Sequence, residues 1–130
     1  MANTPASEQL GTVLGGKYRL TRLLGEGGMG RVFVATHEVL NKEVAVKVLL
    51  PHLSDSEETA ERFLREARAA SALDHPGIIK VMDADRGATG ALYMVMELLQ
   101  GESLSDLIGR SSPVSPEEAV AILRELLEAL

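Results

Sequence analysis

Residues 23–47 read L-L-G-E-G-G-M-G-R-V-F-V-A-T-H-E-V-L-N-K-E-V-A-V-K, and this stretch decides the fold. The glycines that separate its first two apolar runs are Gly25, Gly27, Gly28 and Gly30. Glycine lacks a Cβ, so its backbone can take positive φ and can come close to a ligand. Successive N–H groups of such a loop can point at phosphate oxygens. The pattern predicts a hairpin that covers phosphates, with Lys47 on the following strand reaching the same phosphates.

The composition is that of one soluble globular domain. The chain has 130 residues, of which 45% are hydrophobic and 25% charged, and it has no cysteine, which excludes disulfides and thiolate metal sites. Its net charge of −6 argues against nucleic acid and anionic membranes as partners, but a nucleotide needs only a locally positive pocket. Because we find neither a membrane-spanning apolar run nor a signal-peptide pattern, we expect a cytoplasmic protein without a membrane segment.

The other patterns predict a five-stranded sheet with helices. Residues 1–15 are small and polar and are expected to form a flexible arm. Alternating apolar residues predict strands over residues 17–24, 32–35, 43–49, 78–83 and 91–97. Helical spacing predicts a long helix over residues 57–73, capped by Ser54 or Asp55. Ser103 is predicted to cap a short helix, and Ser115 a last helix with Pro116 at its first position.

Similar glycine spacing occurs in several phosphate-binding motifs. A P-loop requires Lys and then Ser or Thr after the last glycine, but Arg31 and Val32 follow Gly30. A dinucleotide-binding loop requires a helix that begins within the glycines, whereas the run V-F-V-A is typical of a strand. A glycine-rich flap over ATP requires strand, loop, strand, turn and strand, which this pattern predicts. A glycine hairpin without any ligand stays open as an alternative.

The runs G-E-G-G-M-G-R-V and V-A-V-K resemble the amino-terminal lobe of eukaryotic-type protein kinases, with the fullest similarity to the bacterial serine/threonine kinases. The resemblance extends from about Tyr18 to the end of the chain. It implies an α+β fold, a five-stranded antiparallel sheet with one long helix, followed by two carboxyl-terminal helices. In this register residues 16–100 form the ATP-binding lobe, and residues 101–130 begin an incomplete second lobe.

The resemblance also implies roles for individual residues. Lys47 would contact the α- and β-phosphates of ATP, and Glu66 of the long helix would pair with Lys47. A carboxylate beside a lysine in a partly dry pocket keeps the ammonium charged and fixes its position. Met96 would lie at the back of the adenine pocket, where the backbone of Glu97 and Leu99 would bind the adenine edge.

Residues of the glycine hairpin and its neighbouring strands complete the implied ATP site. Val32 and Ala45 would cover the adenine ring. The full set of implied nucleotide-binding residues is Leu24, Gly25, Glu26, Gly27, Gly28, Met29, Gly30, Arg31, Val32, Ala45, Lys47, Met96, Glu97 and Leu99, with Lys47 and Glu66 as the catalytic pair. No metal-binding residue is expected, since Asp83 and Asp85 are predicted to be solvated.

Phosphoryl transfer in this family requires the motifs H-R-D-x-x-x-x-N and D-F-G, which supply the base and the Mg²⁺ ligands. Neither occurs in these 130 residues, so the resemblance leaves enzymatic activity open and predicts an ATP-binding chain that is inactive alone. A protein substrate is implied only for the full-length family. The main alternative is a non-catalytic, pseudokinase-like regulatory or interaction module, and a weaker one is a dinucleotide-binding fragment of an oxidoreductase. The apolar stripe of the last helix lacks partners, which predicts self-association.

Overall fold

The computed structural model describes residues 5–28, 30–49, 51–88, 90–110 and 113–130. The strands in chain order are β1 (Val13–Leu14), β2 (Tyr18–Glu26), β3 (Gly30–His37), β4 (Glu43–Leu49), β5 (Val81–Arg86) and β6 (Leu92–Met96). The helices are α1 (Ala6–Gln9), α2 (Pro51–Ser54), α3 (Glu57–Ser71), α4 (Leu104–Arg110) and α5 (Pro116–Ala129). Within the described ranges, the strands form one antiparallel sheet in the order β1-β2-β3-β4-β6-β5.

Strand β4 lies between β3 and β6, and both of its faces are covered. Val44, Val46 and Val48 point to one core with Phe33 and Tyr93, whereas Leu49 belongs to a second core. A strand that is buried on both faces reads as a nearly continuous run of branched apolar residues, which explains the sequence E-V-A-V-K-V-L. The predicted α+β class and the antiparallel sheet are confirmed.

The sheet has a sixth strand beyond the five predicted, because residues 13–14 of the expected flexible arm form β1, and residues 6–9 of the same segment form α1. Strand β1 pairs with the start of β2, where Val13 lies opposite Arg19 and Leu14 lies opposite Tyr18. Leu14 is buried against the same core as Tyr18. Two residues are too few to carry a periodic pattern, so this strand depends on tertiary contacts that local sequence does not show.

The strand predicted over residues 78–83 is shifted along the chain to Val81–Arg86. The N–H of Ile78 donates to the carbonyl oxygen of His75 at 3.0 Å, so the chain is still turning there. At the other end, Arg86 lies opposite Leu92 in the sheet rather than in the turn. The turn itself follows, where the N–H of Gly87 donates to the carbonyl oxygen of Ala91 at 2.8 Å.

Helix α3 packs on the sheet through a narrow stripe of small and aromatic residues. Ala60, Phe63 and Ala67 are buried, at the i, i+3 and i+7 spacing that places them on one face. The prediction of Ser54 or Asp55 as the cap was wrong, because Ser56 accepts from the N–H of Thr59 at 3.3 Å. Ser54 instead ends α2, where its buried hydroxyl accepts from the N–H of Leu92 at 3.3 Å.

The capping predictions for the last two helices are confirmed. The hydroxyl of Ser103 accepts from the N–H of Asp106 at 3.1 Å, and that of Ser115 accepts from the N–H of Glu118 at 3.2 Å. Helix α5 leaves its apolar stripe exposed, with Leu127 71% exposed. Self-association through this stripe stays a prediction. Among the described residues, the helices are too short or too polar to cross a bilayer.

Candidate nucleotide site

One face of the central sheet carries the side chains that the sequence assigned to the nucleotide. Val32 lies opposite Lys47 across β3 and β4, and Lys47 lies opposite Met94 across β4 and β6. Ala45 lies opposite Met96 in the same strand pair. Residues that face each other across strands share a face of the sheet, as do residues two apart on one strand. The structure therefore brings these five side chains to one surface, with Lys47 half-buried in the middle.

The glycine hairpin lies above this surface and closes a cleft. A cavity of about 430 Å³ is lined by the hairpin glycines together with Val32 and Lys47. The strand that enters the hairpin has a β-bulge, because the pairing shifts between Leu23 and Gly25 and leaves Leu24 without a partner across the strand. Bulges re-aim a strand and are common beside functional sites. Leu24 itself is 45% exposed, and Met29 lies outside the described residues.

The space around the Cα atom differs between Gly30 and the other glycines of the hairpin. A Cβ on Gly30 would lie 2.3 Å from the carbonyl oxygen of Val48, so the fold requires glycine there. A Cβ on Gly25, Gly27 or Gly28 would meet no atom of the described residues within 4 Å, apart from its neighbours in the chain. Their φ angles also lie outside the left-handed region, so these glycines do not use the positive φ that glycine allows. The space beside these three glycines is thus open, which gives a ligand room to approach their backbone.

The side chains of Arg31 and Glu26 lie on the face of the sheet opposite to Lys47. Arg31 lies opposite Val48, whose side chain belongs to the core that contains Phe33 and Tyr93, and Glu26 lies opposite Arg31. Arg31 Nε donates to Glu26 Oε1 at 2.8 Å. These two side chains therefore point away from Lys47, since neighbouring residues of a strand point to opposite faces, although Glu26 also lines the cavity. Their part in binding the nucleotide stays a prediction.

Helix α3 lies on the same face of the sheet as Lys47. Its buried residues pack with Leu49, which is two residues after Lys47, and with Leu92, which is two before Met94. Glu66 lies on the flank of this helix and is exposed. In the part of the chain that the structure describes, Lys47 and Glu66 form no ion pair. The structure places both groups on the same side of the sheet without joining them.

The chain after β6 contains Glu97 and Leu99, whose backbone the resemblance assigns to the adenine edge. The N–H of Glu97 donates to the carbonyl oxygen of Lys80 at 3.0 Å, and Glu97 Oε1 accepts from the N–H of Lys80 at 2.9 Å. These bonds hold Glu97 beside Lys80, the residue before β5, and they occupy the N–H and the side-chain carboxylate of Glu97. Leu99 is 64% exposed. The carbonyl oxygen of Glu97 is thus the group of this residue that a ligand would find.

Asp83 is half-buried rather than fully solvated, and it accepts a hydrogen bond from the hydroxyl of Tyr18 at 2.9 Å, whereas Asp85 is exposed as predicted. Burial, and then this bond to Asp83, raise the pKa of Tyr18 to about 12. Burial also raises the pKa of Tyr93, which lies near the same carboxylate. Over the ranges that the structure describes, we find no cluster of His, Cys, Asp or Glu side chains suited to a metal.

Two contacts near this site were not predicted from the sequence. Met94 lies opposite Lys47 across β4 and β6, and it packs, half-buried, against the second core, which contains Leu49 and Phe63. Gln9 was assigned to a flexible arm, but its Oε1 accepts from Arg31 Nη1 at 2.6 Å. No local pattern could have shown that contact, since the two residues are distant in sequence.

A second cavity of about 360 Å³ lies between α3 and β5. Its lining combines apolar groups with charges of both signs, including Arg68, Asp83 and Arg86. It contains neither the glycine backbone nor Lys47. The cleft under the hairpin differs from it, because it combines open glycine backbone with an ammonium group and the apolar side chain of Val32.

The face that carries Lys47 combines open backbone with an apolar surface. The open space beside Gly25, Gly27 and Gly28 would accommodate phosphate oxygens, and the apolar surface of Val32, Ala45 and Met96 would take a flat ring. A dinucleotide loop does not fit, because Gly30 begins strand β3 rather than a helix.

Comparisons with known proteins agree with this geometry. A family model for the protein kinase domain matches residues 18–130. The chain is 41% identical over its whole length to the serine/threonine-protein kinase pkn3 of Myxococcus xanthus, and 36% identical over 93% of its length to the serine/threonine-protein kinase PrkC of Bacillus subtilis. It spans only 24% and 18%, respectively, of the lengths of those proteins.

The fold agrees with a solved structure as well. The crystal structure of the Mycobacterium tuberculosis PknI kinase domain matches with a TM-score of 0.75 and 30% sequence identity. The match covers 92% of this chain and 48% of that one. The relatives of the present chain are bacterial serine/threonine kinases, and this chain belongs to the protein kinase domain family.

Proposed function

We propose that this chain is the ATP-binding part of a serine/threonine protein kinase, in which Lys47 contacts the phosphates. The observation that carries the proposal is the shared face of Val32, Ala45, Lys47 and Met96 beneath an open glycine hairpin. In that arrangement the ammonium group of Lys47 supplies the positive charge and the hairpin backbone supplies N–H donors. The apolar side chains take up the adenine ring, and the backbone of Glu97 and Leu99 binds its edge.

Glu66 is proposed as the partner of Lys47 when nucleotide is bound. Its place on α3, on the same side of the sheet as Lys47, supports this pairing. In the family, ATP is bound with Mg²⁺, whose ligands belong to motifs that these 130 residues do not contain. We therefore propose that these residues bind nucleotide without transferring its phosphoryl group by themselves; the protein substrate and the cytoplasmic location stay predictions.

The experiment that tests the proposal is a titration of the chain with ATP by calorimetry. Lys47→Met should weaken binding by about tenfold or more, because a charge-assisted bond to phosphate contributes roughly 1.5–3 kcal/mol. Lys42→Met is the matched control: Lys42 is exposed on the turn between β3 and β4, and the variant should bind like the wild type. Equal affinity of all three proteins would remove Lys47 from the site. Absence of ATP binding by the wild type would refute the proposed function.

A further inference from the structure

A polar cluster joins the amino-terminal segment to the outside of the glycine hairpin. Arg31 Nη1 donates to Gln9 Oε1 at 2.6 Å, and Arg31 Nε donates to Glu26 Oε1 at 2.8 Å. The side chain of Arg31 is only 13% exposed, although it is charged. Hydrogen bonds to a charged group in such a half-buried place are stronger than those between neutral groups.

The two charged partners stand at the two ends of the hairpin. Glu26 immediately precedes Gly27, and Arg31 immediately follows Gly30. Between them the N–H of Gly27 donates to the carbonyl oxygen of Gly30 at 2.9 Å. The ion pair and this backbone bond together close the base of the hairpin. Any group that fixes Arg31 therefore fixes both ends of the loop.

Gln9 is brought to this place by a segment that is itself anchored. The N–H of Gly11 donates to the carbonyl oxygen of Leu20 at 2.7 Å, and the N–H of Leu20 donates to the carbonyl oxygen of Thr12 at 2.9 Å. Arg19 Nη1 adds a bond to the carbonyl oxygen of Gly11 at 3.3 Å. The segment runs antiparallel to β2, so its earlier residues lie beside the later part of that strand, toward the hairpin.

We propose that Gln9 is a positioning residue that holds the glycine hairpin over the cleft by fixing Arg31 on the outer face of the sheet. Gln9 does not contact the nucleotide, because it lies on the face opposite to Lys47. It acts through Arg31 and Glu26 on the loop that follows. Gln9 also precedes the residues that the family model matches, so family membership assigns it no role. The consequence for nucleotide affinity rests on the proposed function, whereas the restraint on the hairpin does not.

Hydrogen–deuterium exchange of a peptide covering residues 23–34 tests the restraint directly. Gln9→Ala should speed exchange of the hairpin amides about threefold, which corresponds to ~0.7 kcal/mol at ~1.4 kcal/mol per tenfold and is typical of one hydrogen bond. Gln9→Glu should keep the wild-type rate, because its carboxylate has the same length and also accepts from a guanidinium group. Glu8→Ala is the control on the same short helix, since Glu8 is exposed there. Wild-type exchange in Gln9→Ala, or equal acceleration in Gln9→Glu, would overturn the proposal.

Titration with ATP tests the consequence. Gln9→Ala should raise the dissociation constant of ATP about threefold, while Gln9→Glu and Glu8→Ala should leave it unchanged. Faster hairpin exchange with unaltered ATP affinity would overturn the positioning role. If the wild type binds no ATP at all, the proposed function fails, and the exchange rates still decide whether Gln9 restrains the hairpin. The two failures are thus distinguishable.

Discussion

Replacing Gly30 with alanine should destabilise the fold, whereas the same replacement at Gly27 should not. The added Cβ at Gly30 would lie 2.3 Å from the carbonyl oxygen of Val48 and 3.3 Å from the Cα of Leu49. All of these atoms are backbone of the adjoining strand β4, so no side-chain rotation relieves the contact. The strands must separate locally, and overpacking of this kind costs roughly 1–3 kcal/mol.

At Gly27 the same replacement should raise the free energy of unfolding instead of lowering it. Apart from its neighbours in the chain, the added Cβ would meet no atom of the described ranges within 4 Å, and the φ angle of Gly27 lies outside the left-handed region. Alanine at a compatible site stabilises a protein by about 0.4–1 kcal/mol, because the unfolded chain loses conformational freedom. The free energies of unfolding of the two variants should thus differ by about 1.4–4 kcal/mol.

Urea denaturation followed by circular dichroism measures this difference, with the wild type as reference. An ATP titration of Gly27→Ala completes the experiment: its affinity for ATP should fall although its stability does not. Equal unfolding midpoints for the two alanine variants would refute the reasoning. Destabilisation of Gly27→Ala as large as that of Gly30→Ala would mean that the fold, and not a ligand, requires glycine at both positions.

Further predictions concern the sheet and helix α3. Burial and the bond to Asp83 raise the pKa of Tyr18 from 10.0 to about 12, so the folded state holds this proton more tightly than the unfolded chain. This contribution to the free energy of unfolding is complete below pH ~10 and is lost as the pH rises toward ~12. The free energy of unfolding of the wild type should therefore fall by ~1–3 kcal/mol more than that of Tyr18→Phe over this interval. Parallel pH profiles of the urea midpoint for the two proteins would contradict this prediction. Phe63→Ala should lower the free energy of unfolding by roughly 3–5 kcal/mol in the same assay, because it empties the main contact of α3 with the sheet; a loss under ~1 kcal/mol would argue against that packing. Ser56→Ala should cost about 0.5–2 kcal/mol through loss of the cap to Thr59, while Asp55→Ala should cost little if Ser56 is the cap.

Strand β4 and helix α3 could be predicted from the sequence because each follows one simple rule. A central strand is buried on both faces, and the run from Val44 to Leu49 is accordingly almost entirely apolar. A helix that packs on a sheet repeats its apolar residues at intervals of three and four, as Ala60, Phe63 and Ala67 do. Strand β1 follows no such rule, since its pairing with β2 depends on where Leu14 finds the core.

The side chains that share one face at the candidate site could be predicted from the sequence by a similar rule. Strand alternation places Val32, Lys47 and Met96 on a common face once the register is known, and the structure has that register. The same alternation separates the side chain of Arg31 from that of Val32, so Arg31 could contact a nucleotide in this cleft only through its backbone. The contact between Gln9 and Arg31 is different in kind, because only the folded chain brings these residues together.

Lys47 and Glu66 are held by unequal means, and this difference bears on how their pairing could form. Lys47 sits on a central strand between Val32 and Met94, so the position of its Cα is fixed by hydrogen bonds on both sides. Glu66 is carried by a helix whose buried contacts are two alanines and one phenylalanine. Glu66 itself is exposed on that helix, whereas Lys47 is half-buried. In the proposed pairing, Lys47 is thus the member whose backbone is held by strands on both sides, and Glu66 is the member whose side chain is free of the core.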